Sequence, residues 1–72
     1  MAEITRRTGE DRLALAGEDL HAGEPIELII GGAWVPARVE WEPAIGWYAL
    51  IPQGGRGALC VLLRPGVRAR RG

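Results

Sequence analysis

The chain has 72 residues, enough for one domain, and a fold of this size hides only about 60% of the surface its unfolded chain exposes. Its formal net charge of zero conceals two halves of opposite sign: residues 1–42 hold all nine carboxylates against four arginines, and residues 43–72 hold five arginines and no acid. A single cysteine excludes an internal disulfide, and no apolar run opens the chain or reaches the roughly 18 residues of a membrane span, so a reducing cytoplasm is the expected compartment.

Residues 1–11 are polar and without periodicity, which predicts a flexible leader anchored only by Ile4 and Met1. Residues 12–72 then read as a single all-β domain. Apolar residues alternate with period two, and Gly or Pro interrupts them at short, regular intervals. Leu13 and Leu15 mark a first short strand, and residues 17–23 a loop.

The central segment is the best specified. Ile26, Leu28 and Ile30 alternate up to Gly31-Gly32, and Ala33, Val35, Ala37, Val39 and Trp41 alternate after it. Two glycines between such runs predict a tight primed hairpin, because that turn needs positive φ. Centring the turn there pairs Ile30 with Ala33, Leu28 with Val35 and Ile26 with Ala37. That face is apolar throughout and is the expected core side.

Glu42 to Gly46 makes the next turn, Trp47 to Ile51 a strand, Pro52 to Gly57 a glycine-rich hairpin loop, and Leu59 to Leu63 another strand. Pro65-Gly66 breaks the chain before a last strand through Val67 and Ala69. Five or six short strands around one bent hairpin predict a small SH3-like barrel.

More narrowly, Leu20, Gly23, Ile26-Glu27-Leu28, Trp34, Arg38-Val39-Glu40, Trp47-Tyr48, Leu63-Arg64 and Gly66-Val67-Arg68 resemble a family of small uncharacterised bacterial proteins. The resemblance implies the SH3-like fold and carries over no catalytic, ligand or cofactor residue. SH3-like barrels in general bind peptides, nucleic acids or proteins, which is an argument from fold alone.

Four groups of residues are candidates for a site. On the outer face of the hairpin, the same register sets Ile29 beside Trp34, with Pro36 and Arg38 following and Glu27 opposite Pro36. Such a patch exposes on the order of a few hundred Å² and, with Arg38 adding a cation–π contact to Trp34, suits a protein partner or a second copy. The alternatives are that the leader or barrel curvature covers it, or that it is a small-ligand pocket.

A second group is Trp41, Trp47 and Tyr48, expected as core filler with Trp41 beside Trp47, or as a cage for a cationic ligand. Whether Trp47 or Tyr48 points inward stays open. The third is Arg56, Arg64, Arg68, Arg70 and Arg71, a row that suits phosphates or an acidic protein partner, or else is solvated or pairs with acids of the other half.

Enzyme chemistry finds little footing in the fourth. His21 has no metal-like spacing around it, Cys60 in an apolar run is expected buried and inert, and Glu40 and Glu42 lack a partner acid. There is no serine, and residues 54–57 lack the Lys-Ser or Lys-Thr of a phosphate loop. No metal or cofactor is expected. The reading is a non-catalytic protein-interaction or self-association module, with a nucleic-acid-binding barrel as the alternative.

Overall fold

The structure is a computed structural model that describes residues 2–6 and 12–71, the side chains of Ala2 and Arg56 excepted. Eight strands follow one another: β1 (Ala2–Arg6), β2 (Leu13–Leu15), β3 (Glu18–Asp19), β4 (Pro25–Ile30), β5 (Ala33–Glu42), β6 (Gly46–Pro52), β7 (Ala58–Leu62) and β8 (Arg68–Arg71). They form one antiparallel sheet in the order β3-β2-β1-β8-β4-β5-β6-β7, which does not close. The protein is therefore all-β as expected, with eight strands in place of five or six. No helix among the described residues is long and apolar enough to cross a membrane.

The β4–β5 hairpin has the predicted register, from Ile30–Ala33 to Pro25–Arg38. Gly31 and Gly32 sit at φ 59° and 81°, the left-handed pair that a primed two-residue turn demands. Leu28 and Ile26 are buried, Val35 packs against the same core, and Trp34 lies on the opposite face. One side of the sheet thus gathers Ile26, Leu28, Ala37, Val39, Ala49, Ile51, Leu63 and Ala69 into a single cluster. Each fully buried Leu or Ile contributes about 1.5–3 kcal/mol, so a chain this small draws its stability from nearly all of them.

The expected leader is corrected over residues 2–6. These residues are a mid-sheet strand, paired to β2 through Ile4–Leu15 and to β8 through Ala2–Ala69. Ile4 is fully buried; its N–H donates to the Val67 carbonyl at 2.7 Å, and its own carbonyl accepts from the Gly66 N–H at 2.8 Å. A five-residue strand with a single large apolar residue has no detectable alternation, yet Ile4 with Leu13, Leu15 and Leu20 completes one end of the core. Residues 7–11 of the expected leader lie outside the described residues.

β3 was not anticipated either, because Glu18 and Asp19 carry no strand signal. It forms because Ala16 (φ 54°) and Gly17 (φ 81°) turn the chain back, pairing Leu15 with Glu18. Arg71 then holds the turn. Its guanidinium donates to the carbonyls of Leu15 at 2.9 Å and Asp19 at 3.1 Å, and its Nε lies 3.3 Å from Glu24.

Candidate interaction surface

Across the outer face, each strand contributes alternate residues. β8 supplies Arg68 and Arg70, β4 Glu27 and Ile29, β5 Trp34, Pro36, Arg38 and Glu40, β6 Tyr48, Leu50 and Pro52, and β7 Ala58, Cys60 and Leu62. Ile29 pairs with Trp34, and Glu27 with Pro36, as the hairpin register requires. Ile29 and Trp34 are half-buried, while Pro36 and Arg38 are exposed.

The cation over Trp34 is not the expected one. Arg70 places its guanidinium carbon 4.1 Å from the indole centroid and its Nε 2.7 Å from Glu27. Arg38 instead pairs with Glu40 on its own strand at 2.6 Å and faces Leu50 on β6. The reason lies in the β4–β8 register, Glu27 opposite Arg70, which carries that arginine across Glu27 to the ring. No local pattern encodes this pairing of residues far apart in sequence.

Next to Pro36 the sheet opens. The β5–β6 ladder runs from Glu42–Gly46 to Arg38–Leu50 and stops. Two residues further on, the register would set Pro36 against Pro52, neither of which has an N–H to donate. The strands part there, and Pro36, Arg38, Leu50, Pro52 and Ala58 line a shallow depression of about 310 Å³. Leu50 was missed as a site residue because the phase of β6 was open, and Pro52 and Ala58 because the expected strands ended at Ile51 and began at Leu59. The structure settles it: Trp47 packs on the core and Tyr48 points outward.

Partial burial raises the Tyr48 phenol above its ordinary value, with the Glu42 and Glu40 carboxylates adding to the shift. Trp41 faces Trp47 as expected but is 44% exposed, so it is not core filler. The two indoles border an open cleft of about 590 Å³ with Arg12 and His21. The rings thus split between the two faces, which rules out one three-ring cage.

The C-terminal arginines are dispersed. Arg68 and Arg70 share the outer face, Arg71 is engaged by the β2–β3 turn, and Arg64 lies beside Arg6 and Trp47 at the rim of another depression. The side chain of Arg56 lies outside the described residues.

Cys60 is exposed, against the expectation of a buried thiol. β7 is an edge strand, and residue 60 falls on its outward phase. His21 is exposed in its loop. Among the described residues, no three His, Cys, Asp or Glu side chains gather to hold a metal ion. Residues 54–56 form a short 3-10 turn within the hairpin loop, closed by the Gln53 N–H donating to the Gly57 carbonyl at 2.9 Å.

No curated protein and no solved structure matches the chain. A family model described as a domain of unknown function, DUF5348, matches residues 2–70, from the mid-sheet strand β1 to the arginine that covers Trp34. The chain belongs to that family.

Proposed function

We propose that the protein is a non-catalytic, cytoplasmic interaction module that takes a protein partner on the outer face of its sheet. One observation carries the reading: an indole fixed under Arg70 lies two residues along β5 from Pro36, which with Pro52 borders an open apolar depression. An apolar centre bordered by the Glu27–Arg70 and Arg38–Glu40 pairs is the usual anatomy of a protein interface. Tryptophan and arginine are the usual anchors of such a surface. The contact centre is Ile29, Trp34, Pro36 and Arg38, extended by Leu50 and Pro52. We take the five-strand run β8-β4-β5-β6-β7 to correspond to the SH3-like unit, with β1–β3 added at one side.

The test is a comparison of wild type with Trp34→Ala and Arg38→Glu, each checked for an unchanged thermal transition, in capture of a specific partner. Loss of capture with the fold intact supports the reading, and identical capture removes it. The nucleic-acid alternative has weaker support, since Arg70 and Arg71 are both held by acids of the same chain. Titration with short DNA and RNA at low and high salt addresses it, because phosphate contacts weaken steeply with salt.

A further inference from the structure

The two edges of the sheet differ in kind. β3 is two residues long, both acidic, and Arg71 occupies its Asp19 carbonyl. β7 is five residues, Ala58–Leu62, with no charge from Gly57 to Leu63. Leu59 and Leu62 on it are 55% and 44% exposed, two of the most exposed large apolar side chains described. Sheet edges are normally blunted by brevity or charge, and only β3 is.

The hydrogen bonds show which backbone groups of β7 are open. The Leu63 N–H donates to Trp47 O at 3.0 Å, and the Gln53 N–H to Gly57 O at 2.9 Å. In an antiparallel ladder such pairs recur every second residue, so Gly57, Leu59, Val61 and Leu63 turn their N–H and C=O towards β6. Ala58, Cys60 and Leu62 turn theirs outward, away from the rest of the sheet.

We propose that β7 is a self-pairing edge: two copies join antiparallel along Ala58–Leu62, about a two-fold axis at Cys60. The strand is self-complementary in this register. Cys60 meets Cys60 of the second copy, Ala58 meets Leu62, and Leu59 meets Val61, so small faces large and apolar faces apolar. A charged residue on or near the axis would meet its own charge, and there is none. The three outward-turned residues of each copy form the hydrogen-bonded pairs, giving about six main-chain bonds between chains. The acidic, covered β3 edge keeps the assembly closed at two copies. This pairing does not rest on the outer-face reading, whose contacts centre on β4 and β5 and extend to Leu50 and Pro52 of β6.

Sedimentation over a wide concentration range, with amide exchange followed by NMR, tests it. Dimer should form as concentration rises, and the amides of Ala58, Cys60 and Leu62 should gain protection with it. Those of Leu59 and Val61 should be protected throughout. Cys60→Pro removes an edge donor and no bond to β6, so it should leave a folded monomer. Should that variant unfold, Cys60→Lys sets two ammonium groups together on the axis and should also abolish the dimer. A chain monomeric at every concentration overturns the proposal. So does a dimer without added protection at residues 58, 60 and 62, or one that survives both substitutions. Trp34→Ala should leave the dimer intact, which separates failure here from failure of the partner reading.

Discussion

Ala16 holds φ at 54°, a left-handed conformation in which its Cβ crowds the following carbonyl. Gly17 beside it bears the same geometry without that cost. Ala16→Gly should therefore stabilise the fold by about 1 kcal/mol, which thermal denaturation of so small a domain reads as a rise of roughly 4–8 °C. Tyr48 offers a second check at the same scale. Its phenol is raised, so the folded state holds the proton more tightly than the unfolded chain does. The associated stability is complete below the ordinary phenol value of about 10 and falls as pH rises through the raised one. As the only tyrosine, its phenolate absorbance titrates without overlap from another, and the midpoint should lie above that of a model peptide. The alkaline loss of thermal stability should shrink in Tyr48→Phe.

Between elements, the strongest prediction concerns Arg71. It binds carbonyls of β2 and β3 and the Glu24 carboxylate together, so Arg71→Ala removes the partner of four acceptors at once. With the side chain about a third exposed, water replaces part of this, and a loss of about 1–2 kcal/mol is expected in denaturant unfolding. Arg71→Lys should recover only part, since a single ammonium lacks the fork. How much was legible in the sequence is also decided between elements. Gly31-Gly32 with alternation on both sides was enough to state the β4–β5 pairs from Ile30–Ala33 to Ile26–Ala37 and to put Trp34 outside. β1 and β3 escaped because Ile4 is a lone apolar residue and Glu18-Asp19 carries none. Cys60 was misplaced because whether a strand lies mid-sheet or at an edge depends on neighbours, not on the strand. Arg70 over Trp34 escaped for the same reason: the contact requires the β4–β8 register.

Taken whole, the molecule has one core and little in reserve. A 72-residue domain is expected to be stable by about 4–11 kcal/mol. Leu28→Ala at the centre of that core should cost about 2–5 kcal/mol, a large part of the total, read as a fall in the denaturant midpoint. The split of charge along the sequence does not persist as two opposed surfaces. Folding brings Arg70 to Glu27 and Arg71 to Glu24, so acids of the first half neutralise cations of the second. A polyanion therefore meets fewer free cations than the arginine count suggests.

The pairing of β1 with β8 joins the beginning of the chain to its end in the middle of the sheet. A ribosome delivering this protein therefore cannot yield a finished domain until Arg71 has left the exit tunnel. Chains cut before Arg68 should be digested readily by protease, and the chain carried through Gly72 should resist.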